Sequence, residues 1–131
     1  RYCDISKNSK FYGDLIQASK EMYSKYVSLY PEIQASSKHY LNHFVFKHFK
    51  PGKNFKIWHC EHSSQYPKRV LNLTFYLSNH NTGTEFFNGD VVKSVKGRGI
   101  LIPSSFTHTH RGQQCDMNLD RYIVTGYFNY E

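Results

Sequence analysis

The sequence has little cysteine, no long hydrophobic run and no internal repeat. Its 131 residues include three cysteines, none in a C-x-x-C pair, so it indicates neither a disulfide framework nor a structural zinc site. Reduced thiols favour a reducing compartment such as the cytoplasm. No segment approaches the roughly 18 consecutive apolar residues of a membrane-spanning helix, so we expect no membrane partner. With no linker visible, we expect a single domain over residues 1–131.

Aromatic and basic side chains are what the sequence does contain. Aromatic residues make up 17% of the chain and hydrophobic residues 39%, which is enough apolar surface for a folded core. Lysine and arginine number 17 against 10 acidic residues, so the net charge is +7. This excess favours anionic partners without identifying one. The sequence does not indicate an oligomeric state.

One helix is expected near the N-terminus. Between Lys10 and Tyr30, apolar residues recur every three or four positions, which is typical of an amphipathic helix. Ser9 is the predicted N-cap, and Pro31 is expected to end the helix because proline lacks a backbone donor.

The remainder of the chain is rich in β-forming residues. Short segments of Val, Ile, Phe, Tyr and Thr are each closed by Gly, Pro or Asn, a pattern that predicts an antiparallel jelly roll. A helical part of about residues 1–37 should then buttress a mainly β core of about residues 38–131. The predicted strands are 39–49, 54–62, 69–78, 84–87, 90–95, 98–103, 106–110 and 121–130.

Two predicted strands carry side chains suited to a metal ion. Because side chains alternate along a strand, His59 and Glu61 share one face and Cys60 lies on the other. The second strand offers His108 and His110, also on one shared face, and either could complete the set. Two imidazoles and one carboxylate on one side of a metal form the facial triad of non-haem Fe(II) sites.

An anion site is expected beside this metal site. Arg121 begins an otherwise apolar strand, and a buried guanidinium is costly unless an anion meets it. Its planar fork fits a carboxylate through two parallel hydrogen bonds. Tyr76 lies on the polar face of the predicted strand 69–78 and could present its hydroxyl to the same anion.

Several motifs together resemble one known family. They are H-x-E at His59, R-V-L-x-L-x-x-Y-L-S from Arg69, G-T-E-F-F from Gly83, K-G-R-G-I-L-I-P from Lys96, F-T-H-T-H-R-G from Phe106 and R-Y-I-V-T-G-Y from Arg121. In this order they resemble the Fe(II)/2-oxoglutarate-dependent dioxygenase superfamily, in its prolyl-hydroxylase-like branch with viral and marine-phage members. The resemblance covers the chain from Asn42 to its end. It implies a double-stranded β-helix.

The resemblance also implies roles for individual residues. His59, Glu61 and His110 match the catalytic metal triad, with His110 favoured over His108 by its distance from Arg121. Arg121 matches the residue that binds the far carboxylate of 2-oxoglutarate, with Tyr76 and Thr125 beside the cosubstrate. The implied cofactors are Fe(II) and 2-oxoglutarate, with ascorbate as a further candidate. The family more often has Asp where this chain has Glu61.

The branch implies a peptide or protein substrate, with peptidyl proline as the first candidate. The short connection from Lys50 to Asn54 leaves little chain for a lid, which favours an open groove, and its lysines suit an acidic peptide. A nucleic-acid demethylase of the same superfamily is less favoured, because Ile123 and Tyr127 replace the Asn and second Arg of its last strand. A non-catalytic jelly-roll binding module remains an alternative. The viral resemblance raises a virus-encoded origin as a further expectation.

Overall fold

The strand-forming segments pair into two antiparallel sheets in the computed structural model, which describes residues 1–113 and 118–131. The elements are β1 (Tyr2–Asp4), α1 (Tyr12–Leu29), β2 (His39–Phe49), β3 (Arg69–Tyr76), β4 (His80–Phe86), β5 (Val91–Ser94), β6 (Gly99–Pro103), β7 (His110–Gly112) and β8 (Arg121–Tyr130), with short 3₁₀ helices at Pro31–Ala35 and Phe106–His108. Within the described ranges the larger sheet has the order β1-β2-β8-β3-β6 and the smaller β5-β4-β7. This is the mainly β, jelly-roll-like architecture that the sequence predicts.

Alternation along β3 separates two environments. Leu71 and Leu73 are buried under α1, whereas Asn72 and Thr74 line a cavity on the other side of the sheet. Strand β8 follows the same rule, because Thr125 pairs with Thr74 and also lines the cavity. The cavity therefore lies between the two sheets, and its floor is formed by the polar faces of the central strands.

Helix α1 covers the opposite face of the larger sheet. Met22, Tyr23 and Tyr26 pack against the cluster of Leu71, Leu73 and Phe128, and the Tyr23 and Phe128 rings stack at 4.9 Å between centroids. The approach is close at β6, where a Cβ at Gly99 would lie 2.8 Å from Met22 Sδ. Within the described residues, no helix combines the length and the apolar character that a membrane crossing requires.

Several local predictions are corrected. The helix begins at Tyr12 with Phe11 as its N-cap, and Ser9 Oγ instead accepts the Phe11 N–H in the preceding turn. Strand β1 was not predicted, since three residues are too short to show an alternating pattern.

Two of the predicted strands, 54–62 and 106–110, are also wrong. Segment 54–62 runs beside β7, but within the described residues it pairs through a single β-bridge at His59. The segment 106–110 divides into the 3₁₀ helix Phe106–His108 and the start of β7 at His110. His108 and His110 therefore do not share a strand face. In contrast, the predictions 39–49 and 121–130 are confirmed to the residue by β2 and β8.

Candidate metal centre

The backbone brings His59 and His110 together. His59 N–H donates to His110 O at 3.0 Å and His110 N–H donates to His59 O at 2.9 Å. Residues that exchange both bonds in an antiparallel pair are directly opposite and project their side chains to the same side. The imidazole centroids accordingly lie 4.5 Å apart.

Glu61 completes a cluster of three ligand-type side chains. Its Oε1 lies 3.4 Å from His59 Nε2 and 3.2 Å from His110 Nε2. One ligand atom from each of the three residues falls within 4.8 Å of the others. A single ion can therefore contact all three, as the alternation argument predicts, although segment 54–62 is not a strand.

Hydrogen bonds to the backbone orient both imidazoles. His59 Nδ1 donates to Ile57 O at 2.7 Å, and His110 Nδ1 donates to His108 O at 2.8 Å. With Nδ1 donating to the backbone in each ring, Nε2 faces the centre of the cluster. It donates to Glu61 when the ring is protonated, and it presents a lone pair to a metal ion when the ring is neutral. The side chain of His108 points elsewhere, with Nδ1 3.0 Å from Thr107 Oγ1.

Arg69 holds the other oxygen of Glu61, a contact that sequence reasoning missed. Its Nη1 donates to Glu61 Oε2 at 3.3 Å. The guanidinium is 3.8 Å from the ring centroids of both Tyr66 and Tyr127, so two aromatic faces fix its plane. The signal available in the sequence was an arginine at the first position of the predicted strand 69–78.

The electrostatics of the cluster suit a cation. Burial alone would raise the pKa of Glu61, but hydrogen bonds from His110 and His59 outweigh it and hold that pKa well below its usual range. Burial likewise opposes protonation of His59, yet the hydrogen bonds to Glu61 and Ile57 O raise its pKa. Burial, together with the Glu61 charge, raises the pKa of Tyr127 to about 12. Glu61 is therefore a carboxylate and Tyr127 a neutral phenol at neutral pH.

The cluster opens into a cavity of about 640 Å³ between the sheets. Arg121 and Thr125 both line this cavity and are buried, at 4% exposure each. The Arg121 guanidinium lies 5.1 Å from the centre of the Phe49 ring. Asn72 Oδ1 also faces this region and is buried with no hydrogen-bond partner in the described chain. An unsatisfied buried acceptor is costly, so the cavity is suited to a polar occupant.

Tyr76 occupies a different position from the one expected of a direct ligand. It is fully buried against Phe49 and Ile123, and its hydroxyl lies 2.6 Å from Thr84 Oγ1. Thr84 lines the cavity, whereas Tyr76 is not among the lining residues. The structure thus brings Arg121 and Thr125 to the cavity and connects Tyr76 to it through Thr84.

Cys60 stays outside the ligand cluster, as alternation predicts. Its thiol donates to His62 O at 3.1 Å. Cys115, the third cysteine, lies outside the described residues.

Solved structures with the same fold were found across the whole chain. A viral collagen prolyl hydroxylase from Paramecium bursaria Chlorella virus-1, in a 2OG complex, has a TM-score of 0.76 at 15% identity and is matched over 100% of this chain and 79% of that one. A Pseudomonas putida prolyl-4-hydroxylase has a TM-score of 0.75 at 16% identity, over 99% and 71% of the two chains. A 2OG-Fe(II) oxygenase family member from Burkholderia pseudomallei has a TM-score of 0.59 at 11% identity, over 71% and 46%. No protein-family model and no curated protein matches the sequence.

The chain therefore has the fold of the 2-oxoglutarate/Fe(II) oxygenases, in the form seen in prolyl hydroxylases. The fold predicted from the motif resemblance is confirmed. At these identities the similarity establishes architecture, and the chemistry has to be argued from the side chains described above.

Proposed function

We propose that this chain is an Fe(II)- and 2-oxoglutarate-dependent oxygenase that hydroxylates a C–H bond. The observation that carries the proposal is the convergence of His59, Glu61 and His110, whose ligand atoms lie within 4.8 Å of one another at a cavity that also contains Arg121. The same fold in a viral collagen prolyl hydroxylase with 2OG bound supports the cosubstrate.

The donor set fits a ferrous ion. Two neutral imidazoles and one carboxylate are ligands that Fe(II) accepts, and three protein ligands leave further coordination positions for other groups. His59, Glu61 and His110 would hold the metal, with Arg69 orienting Glu61 from its far oxygen. When bound, the metal and 2-oxoglutarate supply oxidative decarboxylation coupled to transfer of one oxygen atom to the substrate.

The chain contributes binding, orientation and a sheltered cavity. Arg121 would hold the far carboxylate of 2-oxoglutarate, because its buried guanidinium can form two parallel hydrogen bonds with it. Thr125 would lie beside the same ligand, and Tyr76 would act through Thr84, whose Oγ1 it contacts. The aliphatic side chains of Ile100, Ile102 and Ile123 line the cavity and limit water near the reacting groups.

Peptidyl proline is the proposed substrate. Prolyl hydroxylases are among the solved structures that share the fold. Phe55 and Tyr66 line the cavity with 46% and 44% exposure, so the mouth offers aromatic surfaces to an extended chain. Proline-rich peptides dock on aromatic-lined grooves because their extended conformation is already ordered.

Anaerobic spectroscopy tests the metal and cosubstrate. Addition of Fe(II) and 2-oxoglutarate to the protein should produce a weak visible charge-transfer band. His110→Ala should abolish the band and His108→Ala should retain it, since only the first removes a member of the cluster. A band that survives in His110→Ala but is lost in His108→Ala would reassign the ligand. No band in the wild-type protein would favour a non-catalytic binding module.

Mass spectrometry tests the substrate. A proline-rich peptide incubated aerobically with the Fe(II)-loaded protein and 2-oxoglutarate should gain the mass of one oxygen atom on proline, with one succinate formed per hydroxylation. Succinate formation without peptide modification, at a range of peptide sequences, would argue against proline. Oxidation of methylated DNA or RNA instead would restore the nucleic-acid alternative.

A further inference from the structure

Three side chains form a row directly behind the two histidines of the cluster. Glu85 on β4 is opposite Arg111 on β7, and Arg111 follows His110 in the chain. The antiparallel bridge between His110 and His59 brings Trp58 beside Arg111. Because neighbouring residues of an extended chain project to opposite faces, this row lies on the face away from the imidazoles. We call Glu85, Arg111 and Trp58 the outer row.

The members of the outer row contact one another. Arg111 Nε donates to Glu85 Oε2 at 3.0 Å, and Arg111 Cζ lies 4.1 Å from the centroid of the Trp58 ring. The Trp58 ring also meets the Phe87 ring edge to face, with 5.2 Å between centroids. Glu85 and Trp58 do not line the cavity, whereas Arg111 borders it. The outer row therefore connects β4, β7 and the segment 54–62.

The segment 54–62 has few backbone bonds to hold its position. Within the described residues it pairs with β7 through one β-bridge, and Gly112 N–H donates to Phe55 O at 2.8 Å. A segment with so little pairing opens more readily than a strand inside a sheet. A guanidinium held between a carboxylate and an indole face is a directional contact. The outer row thus restrains Trp58 and, through the backbone, the adjacent His59.

We propose that Arg111 and Trp58 are positioning residues that fix the spacing of His59 and His110 from the face away from the metal, so that the ligands are assembled before an ion binds. This role rests on the metal site of the proposed function and not on the reaction carried out there. The outer row acts through His59 and does not touch the ion. Because the row and the metal stabilise the same arrangement, each strengthens the other.

The substitution Arg111→Met tests the outer row by removing the guanidinium and keeping an unbranched stem. The segment 54–62 is then in place for a smaller fraction of the time, and the apparent metal affinity falls by that fraction. We expect Mn(II) to bind about tenfold more weakly, within the range typical of a lost outer contact. Electron paramagnetic resonance of free Mn(II) measures the affinity. Arg98→Met removes an exposed guanidinium bonded to Lys93 O and should bind Mn(II) normally.

Substitutions of the indole test the same contact from its other side. Trp58→Ala removes the aromatic face and should weaken Mn(II) binding about as much as Arg111→Met does. Trp58→Phe keeps a face for the guanidinium and should restore most of the affinity. Equal weakening in Trp58→Ala and Trp58→Phe would mean that stacking on Arg111 does not hold the segment.

A second substitution shows whether the outer row acts through His59. His59→Ala removes a ligand and should itself weaken Mn(II) binding. Arg111→Met should then add less than about a twofold loss, because no imidazole remains to be positioned. A general loss of stability would instead weaken binding by the same factor in both backgrounds.

Intrinsic fluorescence reports on the outer row in the unmodified protein, since Trp58 is the one tryptophan of the chain. Zn(II), which is diamagnetic, should reduce the quenching of Trp58 by acrylamide, because a bound ion stabilises the arrangement in which the ring is packed. The effect should be lost in His59→Ala. Unchanged quenching on addition of saturating Zn(II) to the wild type would overturn the proposal without any variant of the row.

The outcomes separate this role from the proposed function. Equal Mn(II) affinities in Arg111→Met and wild type, or equal losses with and without His59, would overturn the positioning role even if the wild type forms succinate. A loss that depends on His59, in a protein that forms no succinate, would support the outer row and overturn the oxygenase. A wild-type protein that binds neither Mn(II) nor Zn(II) would overturn both.

Discussion

At the scale of single residues, Glu61 is the side chain on which the charges of the site depend. One of its oxygens lies between two imidazoles, and the other accepts a hydrogen bond from Arg69. Each contact stabilises the ionised carboxylate, so the ligand is prepared for a cation before one binds. The aromatic faces of Tyr66 and Tyr127 keep Arg69 in place, and these rings extend the support of the site beyond the ligands themselves.

Arg69→Met should weaken metal binding without removing a ligand. Glu61 Oε2 would lose its hydrogen bond, and the carboxylate would be free to rotate away from the two imidazoles. Loss of such an outer contact typically costs about 10- to 100-fold in metal affinity. Mn(II) titration measures the change. Arg98→Met, which removes an exposed guanidinium bonded to Lys93 O, is the matched control and should bind Mn(II) normally. An unchanged affinity in Arg69→Met would mean that Arg69 does not orient the ligand.

Arg121→Met should remove the preference for a dicarboxylate. In the wild type, 2-oxoglutarate should bind the Mn(II)-loaded protein far more tightly than 2-oxopentanoate does. A buried bidentate pair is worth more than a neutral hydrogen bond, so the variant should lose at least about tenfold in 2-oxoglutarate affinity. Its affinity for 2-oxopentanoate should stay the same. If both ligands weaken together, Arg121 supports the shape of the cavity rather than recognising the far carboxylate.

At the scale of elements, the site lies where β7 begins and where the segment 54–62 runs beside it without forming a strand. The central strands β3 and β8 supply a rigid floor, and the bridge between His59 and His110 holds the segment 54–62 against β7. Only one bridge is needed, because a single hydrogen-bonded pair already sets both side chains on the same side. The candidate ligands thus come from the start of β7 and from the segment 54–62, and their spacing depends on backbone hydrogen bonds.

Part of this arrangement could be predicted from sequence and part could not. The limits of β2 and β8 and the two faces of β3 follow from strict alternation, which is a local property of the chain. The course of 54–62 could not be predicted, because alternation of residue types does not show which groups the backbone bonds to. Ile57 O accepts a hydrogen bond from the His59 ring, and a turn at Ser63–Tyr66 follows. The contact of Arg69 with Glu61 depends on the irregular course of the chain between them, so no alternating pattern indicates it.

Leu73→Ala should test whether α1 and the metal site are independent across the sheet. Leu73 is 0% exposed and faces α1, while its neighbours Asn72 and Thr74 face the cavity. Removal of its side chain should reduce the free energy of unfolding by about 2 to 5 kcal/mol. Denaturant unfolding measures this loss, and the folded fraction should bind Mn(II) as the wild type does. Leu29→Ala, at a position 73% exposed, should change stability by less than about 0.5 kcal/mol. Weakened Mn(II) binding in folded Leu73→Ala would show that packing under the helix reaches the site.

At the scale of the whole molecule, the chain is basic, and part of its exposed positive charge lies next to the cavity mouth. The chain has a net charge of +7, and the turn that follows β2 exposes Lys50 and Lys53. Phe55 comes directly after this turn and lines the cavity mouth. The proposed peptide substrate, entering past Phe55, would therefore approach through a positive field, which would raise its local concentration if it carried acidic residues.

The double substitution Lys50→Ala/Lys53→Ala should reduce turnover of acidic proline-rich peptides selectively. The wild type should have a lower KM for a peptide with Glu or Asp near the target proline than for its neutral counterpart, and added salt should narrow the difference. Screening acts over a Debye length of about 8 Å at physiological ionic strength, so exposed lysines should be sensitive to it. The variant should lose the difference between the peptides and its salt dependence, while turnover of the neutral peptide is unchanged. Lys20→Ala/Lys25→Ala removes the same charge from the exposed side of α1 and serves as the control. If both double variants raise the KM for the acidic peptide equally, overall charge attracts the peptide and the turn after β2 does not recognise it.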